Sequence, residues 1–113
     1  MHLPGSDRAV VDPAKVRDYL LSPEHPVGRS KPRFFAALGF TRSAWPAFRA
    51  VLLDVAATGQ AVPALATSHG QKYEVHATIQ GPSGREARIV TIWIVLSGED
   101  FPRLVTAYPG DTA

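Results

Sequence analysis

The fold is decided by residues 72–96, which read KYEVHATIQGPSGREARIVTIWIVL. The first nine residues alternate between polar and apolar side chains, which is the period of a strand with one covered face. Residues 81–84, Gly-Pro-Ser-Gly, have the composition of a four-residue hairpin loop. Residues 88–96 are apolar at most positions, as expected of a central strand. The stretch therefore predicts an antiparallel β-hairpin at the centre of a sheet.

The length of this loop predicts a register for the hairpin. A four-residue loop places Gln80 opposite Arg85 and, further along the two strands, Lys72 opposite Trp93. One face is then apolar and is expected to lie under helices, and it carries Tyr73, Val75, Ala77, Val90, Ile92 and Ile94. The other face is polar, and it carries Lys72, Glu74, His76, Thr78, Thr91 and Trp93. Trp93 is a candidate nucleic-acid contact because aromatic rings stack on nucleobases, and Lys72 on the same face is a second candidate. An ordinary solvated face is the alternative.

Three helices are predicted before the sheet. Asp12 can cap a helix that has Pro13 in its first position, and Ser30 can cap a second. A third apolar stripe of helical period ends at Gly59. The expected bounds are about residues 13–21, 31–38 and 44–58, after a ragged leader at residues 1–11 and before a sheet at about residues 62–109. The prediction is one α+β domain, residues 1–113, with about three helices packed on one face of a three- to four-stranded antiparallel meander.

The composition narrows the chemistry that this domain can carry. Cysteine is absent, which excludes disulfides and thiolate zinc sites. Four histidines stand at positions 2, 25, 69 and 76, with no spacing typical of a metal site, so neither a metal nor another cofactor is expected. The sequence shows no membrane span and no signal pattern. We therefore expect a cytoplasmic protein with no membrane partner, or one secreted as part of a larger toxin.

Charge is distributed unevenly along the chain. Residues 1–50 carry eight Lys and Arg against four Asp and Glu, whereas residues 51–113 carry four against six. A basic N-terminal half favours an anionic ligand, with RNA, DNA or a nucleotide as the first expectation. A solvated helical surface is the alternative interpretation of the same bias.

The basic residues concentrate in a loop before the second predicted helix. His25, Arg29, Lys31 and Arg33 fall within nine positions, and no acidic residue occurs between Glu24 and Asp54. Backbone N–H groups at a helix start add positive potential to such side chains. The loop is therefore a candidate phosphate site, with Arg29 and Arg33 as candidate nucleic-acid contacts.

Two further candidates for chemistry come from the strands. Thr106 and Tyr108 are two residues apart on the last predicted strand, so their hydroxyls share a face and can donate to a phosphate or a developing oxyanion. The alternative is that both residues stand there for their high β-propensity, which is equally consistent with this spacing.

His25 and His76 are candidate proton carriers, because imidazole exchanges protons near neutral pH.

Five segments together resemble a family of small uncharacterised bacterial domains. They are residues 15–21 (KVRDYLL), 25–31 (HPVGRSK), 34–35 (FF), 38–40 (LGF) and 105–109 (VTAYP). The resemblance covers about residues 9–110. That family is similar in layout to the toxin nucleases of the barnase–EndoU–colicin–RelE-like group, which pack N-terminal helices on a four-stranded antiparallel sheet and include metal-independent ribonucleases.

The resemblance implies a site divided between two distant segments. It carries the catalytic role to Lys31 and His25 in the loop and to Thr106 and Tyr108 in the last strand, whereas His76 rests on its chemistry alone. The implied activity is a metal-independent endoribonuclease that leaves a 2′,3′-cyclic phosphate. The implied partners are RNA and an acidic antitoxin or immunity protein. The alternative is a non-catalytic binding domain that retains the fold, and the sequence leaves the oligomeric state open.

Overall fold

The computed structural model describes residues 1–21 and 30–110, and for residues 30–33 it describes the backbone only. A 3₁₀ turn, Ser6–Arg8, precedes helix α1, Pro13–Lys15, which continues directly as a π-helical turn, Val16–Leu20. Helix α2 is Ser30–Ala37, and a 3₁₀ turn, Arg42–Ala44, leads into helix α3, Trp45–Thr58. The strands are β1, Gln60–Thr67, β2, Gly70–Gln80, β3, Glu86–Leu96, and β4, Pro102–Pro109.

Short-range hydrogen bonds explain where the helices begin and end. The Asp12 carboxylate accepts the Ala14 N–H at 2.9 Å at the start of α1. The Thr41 hydroxyl accepts the Ala44 N–H at 3.3 Å ahead of α3. At the other end of α3, the Gly59 N–H closes the last turn on the Val55 carbonyl at 2.8 Å.

The four strands form one antiparallel sheet in the order β1-β2-β3-β4, with the helices mostly before it in the chain. The predicted α+β architecture is confirmed. The helices and one face of the sheet share a single core, in which Phe48 contacts the rings of Phe35 and Phe40 with centroids 4.6 and 4.7 Å apart. The sheet side of this core includes Val75, Ile89, Trp93, Leu104 and Ala107.

The predicted hairpin register is wrong by one residue. Gln80 pairs with Glu86 rather than with Arg85, and Lys72 pairs with Ile94 rather than with Trp93, so the loop has five residues, 81–85. The Gly81 N–H closes this loop on the Arg85 carbonyl at 3.0 Å. Gly84 adopts a left-handed conformation with φ 88°, which glycine adopts without strain.

The end of α2 shapes this loop through contacts that the local sequence does not reveal. The Ser83 N–H donates to the Leu38 carbonyl at 3.0 Å, and the Ser83 hydroxyl donates to the Ala37 carbonyl at 3.2 Å. These carbonyls lack partners within the helix, so the loop satisfies them. A Cβ on Gly81 would overlap the Leu38 carbonyl, which shows how closely the helix end and the loop approach. The five-residue loop is therefore held by a tertiary contact with the end of α2.

A one-residue slip exchanges the two faces of β3. Thr91 and Trp93, predicted to lie on the polar face, are both fully buried beneath the helices. Val90, Ile92 and Ile94, predicted to lie in the core, point to the opposite side. In the observed register the Trp93 ring therefore lies in the core, and the aliphatic row of Val90, Ile92 and Ile94 lies on the other face.

The two edges of the sheet differ in how they are covered. Along β4, the Val10 N–H donates to the Pro102 carbonyl at 2.9 Å, and the Leu104 N–H donates to the Val10 carbonyl at 3.0 Å. Along β1, the Ala61 N–H donates to the Met1 carbonyl at 2.7 Å. The N-terminal segment therefore contacts both edges of the same sheet, which limits edge pairing with other chains.

Candidate functional site

The sheet face opposite the helices, here called the open face, carries most of the polar side chains of the strands. The core cluster joins the helices to the other face only, and Val90 is buried without belonging to that cluster. Along β3 the open face is aliphatic at Val90, Ile92 and Ile94, and polar residues flank this row from β2 and β4. The open face therefore has an aliphatic floor with polar sides.

Glu74 and His76 form a hydrogen-bonded pair on this face. They lie two residues apart on β2, so strand alternation points both side chains to the same side. His76 Nε2 and Glu74 Oε1 are 3.1 Å apart, and the side chains are 53% and 40% exposed. A carboxylate in this position orients the imidazole ring through this hydrogen bond. Because both side chains are partly exposed, the pair remains accessible to a ligand.

Tyr108 faces this pair across the central strand. Val90 pairs with His76 on one side and with Tyr108 on the other, so the three residues form one row across the sheet. In the next row, Ile92 pairs with Glu74 and with Thr106. Neighbouring strands are spaced about 4.8 Å apart, so the backbones at His76 and Tyr108 are roughly 10 Å apart. A group bound over Val90 can be contacted from both sides.

An irregularity in β4 fixes which residues of that strand reach the open face. The pairing with β3 shifts between Ile92 and Trp93, which leaves Val105 as an extra residue between Leu104 and Thr106. Thr106 and Tyr108 both lie on the open face, as their spacing predicts. Thr106 is half-buried and Tyr108 is 36% exposed.

Arg88 is a cation of the open face that sequence reasoning missed. It pairs with Thr78 on β2 and is exposed, and it lies two residues along β3 from Val90. The predicted four-residue loop would have placed Arg88 opposite Ala77, on the helix face, so the register error concealed it. Glu74 was also missed as a partner of His76, although the Glu-x-His spacing within an alternating strand is a signal that could have found it.

The two predicted nucleic-acid contacts of the hairpin have different positions. Lys72 is half-buried on the open face opposite Ile94, two rows beyond His76. Trp93 is fully buried on the helix face and donates its indole N–H to the Thr91 hydroxyl at 2.8 Å. The prediction of a stacking platform at Trp93 is therefore wrong, because that ring belongs to the core.

The predicted loop half of the site lies mostly outside the described residues. This applies to His25 and Arg29, whereas Lys31 and Arg33 belong to α2 at positions where only the backbone is described. Helix α2 contacts β4, the strand that carries Thr106 and Tyr108. The convergence of Lys31 with these hydroxyls stays a prediction.

Within residues 1–21 and 30–110, no group of three His, Asp or Glu side chains is arranged to hold a metal ion. None of the helices in that part of the chain has the length and apolar character needed to cross a membrane.

The fold and the open face define an α+β domain with a half-exposed, hydrogen-bonded Glu74–His76 pair on an uncovered sheet surface. A family model described as "Domain of unknown function (DUF6883)" matches residues 2–111, and the chain belongs to this family. Comparisons with curated proteins and with solved structures gave no significant match.

Proposed function

We propose that this protein is a metal-independent endoribonuclease of the toxin type. The observation that carries the proposal is the Glu74–His76 pair at 3.1 Å, which faces Tyr108 across Val90 on the open face. In RNA the 2′-hydroxyl is an internal nucleophile beside every phosphodiester. A protein that moves two protons and stabilises charge on the phosphorus can therefore cleave the chain.

The proposed reaction places proton transfer on opposite sides of the phosphate. His76 takes the proton from the 2′-hydroxyl as the 2′-oxygen bonds to phosphorus, and Glu74 holds the resulting imidazolium. Tyr108 donates its hydroxyl proton to the 5′-oxygen as the bond from phosphorus to that oxygen breaks. Thr106, in the adjacent row, donates a hydrogen bond to a non-bridging oxygen. The products are a 2′,3′-cyclic phosphate and a 5′-hydroxyl. Water then takes the extra proton from the His76 imidazolium and another returns to the Tyr108 oxygen, which restores both side chains.

The arrangement supports an in-line displacement, in which nucleophile and leaving group lie on opposite sides of phosphorus. A gap of roughly 10 Å between the β2 and β4 backbones leaves side chains on either side of a bound phosphodiester. Val90, buried between them, supplies an apolar floor that excludes water from beneath the reacting group.

The direct test is incubation of the purified protein with single-stranded RNA in EDTA. Cleavage with 2′,3′-cyclic phosphate ends is expected, and the same oligonucleotide with 2′-deoxyribose throughout should remain intact. The absence of cleavage at stoichiometric protein concentration would overturn the proposal.

A non-catalytic binding domain is the second candidate, and the surface of β1 favours it. Val62 and Leu65 are 56% and 63% exposed there, so this edge of the sheet presents two aliphatic side chains to a partner. An acidic antitoxin or immunity protein is the proposed protein partner in either case, because residues 1–50 carry the excess of positive charge. Binding of such a partner without any cleavage of RNA would support the second candidate over the first.

A further inference from the structure

Arg88 differs from most other arginines of the described chain in having no partner for its charge. Four arginines, Arg8, Arg17, Arg42 and Arg103, form ion pairs with carboxylates at 2.7 to 3.1 Å. Arg49 donates to the Val11 carbonyl at 2.8 Å. Among the described side chains, those of Arg85 and Arg88 form no ion pair or hydrogen bond. A guanidinium without a protein partner retains its donors for a ligand.

The sheet places Arg88 beside the reacting groups. His76 and Tyr108 both pair with Val90, so each is a diagonal neighbour of Arg88. Diagonal neighbours in an antiparallel sheet are roughly 7–8 Å apart, a distance that long side chains span. Arg88 thus stands at the third corner of a triangle whose other corners are the proposed base and the proposed acid.

Gly110, the last described residue, lies beside Arg88, whose side chain is exposed. The Gly110 N–H donates to the Arg88 carbonyl at 2.7 Å, which holds the two backbones together. A Cβ on Gly110 would lie 3.2 Å from the Arg88 Cβ, so a larger residue there would crowd the stem of the arginine. Glu86, on the same face, pairs with Gln80 at the loop end of the hairpin and forms no ion pair with Arg88.

We propose that Arg88 binds the scissile phosphate, an inference that rests on the proposed function. Its planar guanidinium donates two parallel hydrogen bonds to the non-bridging oxygens of a phosphodiester that lies over Val90. As the 2′-oxygen adds, these oxygens gain charge, and the same two bonds strengthen. Arg88 is then a catalytic residue that touches the reacting group, on the same face as His76 and Tyr108.

The test compares three variants, Arg88→Ala, Arg88→Lys and Arg85→Ala. Arg85→Ala is the matched control, because Arg85 is an exposed, unpaired arginine of the same hairpin but lies in its loop. We expect Arg88→Ala to lower kcat/KM for RNA cleavage about 100-fold or more. Arg88→Lys should fall between wild type and alanine, because lysine keeps the charge without the paired donors. Arg85→Ala should cleave at the wild-type rate.

A binding measurement separates this inference from the proposed function. The probe is a single-stranded DNA with the base sequence of the RNA substrate, and its affinity is measured as a function of salt concentration. Loss of one phosphate contact reduces the slope of log K against log salt by about 0.7. That reduction is expected for Arg88→Ala and not for Arg85→Ala, with unchanged melting temperatures as the check on folding.

The outcomes are distinguishable. Normal cleavage by Arg88→Ala, with cleavage by wild type, would overturn the role of Arg88 and leave the proposed function standing. The wild-type protein could fail to cleave RNA while the salt slope of binding changes for Arg88→Ala and not for Arg85→Ala. That result would keep Arg88 as a phosphate contact and overturn the ribonuclease. A wild-type protein that neither binds nor cleaves would overturn both.

Discussion

The indole N–H of Trp93 donates a hydrogen bond of 2.8 Å to the Thr91 hydroxyl, which donates in turn to the Val75 carbonyl at 2.9 Å. All three residues are fully buried. Thr91 and Val75 are cross-strand partners, so this relay connects the core side of β3 to β2. It also gives the only polar atom of the largest buried side chain a partner, which is what allows that ring to lie in the core.

Replacing Thr91 with valine should destabilise the protein. The substitution keeps the shape of the side chain but leaves the Trp93 N–H without its acceptor inside the core. We expect the free energy of unfolding to fall by about 2 kcal/mol. Urea unfolding followed by tryptophan fluorescence measures the change. Thr91→Ser is the control, because it keeps the hydroxyl and should lose less stability than the valine variant.

The helices and the order of the strands could be predicted because their signals are local. Asp12 and Thr41 act within three residues of themselves, and the alternation of residues 72–80 assigns their faces without any partner. The register could not be predicted in this way. The observed register occurs together with hydrogen bonds between Ser83 and the end of α2, and α2 lies far from Ser83 in the sequence.

The same distinction applies to the candidate site. Alternation was sufficient to place His76 on the open face, and spacing was sufficient to place Thr106 and Tyr108 together. Arg88 required the correct pairing of two strands, so it was missed, and Trp93 was assigned to the wrong face for the same reason. No local pattern in the sequence reports how many residues a loop leaves unpaired.

His76→Ala should lower the rate of RNA cleavage by about 100-fold or more, because the imidazole is the proposed proton acceptor. Free imidazole added to the variant should restore part of the rate, an effect that a purely structural role would not show. His69→Ala is the matched control, since His69 is exposed in the turn between β1 and β2. Equal rates for the two variants would contradict the role of His76.

Glu74→Gln should reduce cleavage less than His76→Ala does, because the amide keeps the size of the side chain and removes only its charge. Glu74 acts through His76, so the loss should fall on kcat with little change in KM, while the melting temperature stays the same. Glu86→Gln, on the same face at the loop end of the hairpin, should match wild type in kcat and KM. A kcat for Glu74→Gln identical to that of wild type would remove the positioning role.

Tyr108→Phe removes one hydroxyl from the side of the phosphate opposite His76. We expect kcat to fall about 100-fold with little change in KM, since the hydroxyl acts mainly in the transition state. Tyr73→Phe makes the same chemical change on the helix face and should leave kinetics unaltered. A loss confined to KM would assign Tyr108 to substrate binding alone.

Acid stability should depend on Asp18. Its pKa is lowered from 3.8 to about 2 by hydrogen bonds from Arg17 and Arg42. Because the pKa of Asp18 is lower in the folded than in the unfolded protein, its hydrogen bonds contribute stability above about pH 4. This contribution is lost as the pH falls toward 2. Thermal unfolding of wild type and Asp18→Asn between pH 2 and pH 5 should show a difference in Tm that shrinks toward pH 2. A difference that stays constant would contradict this assignment.

The pairing of β2 with β3 joins residues of equal parity, odd with odd and even with even. The odd-numbered positions of this hairpin face the hydrophobic interior. The even-numbered positions, including Glu74, His76 and Arg88, lie on the open face. Selection can thus alter the chemistry of one surface without disturbing the interior. A codon gained or lost between residues 81 and 85 keeps the two surfaces separate only where the loop, rather than the register of β3, takes up the change.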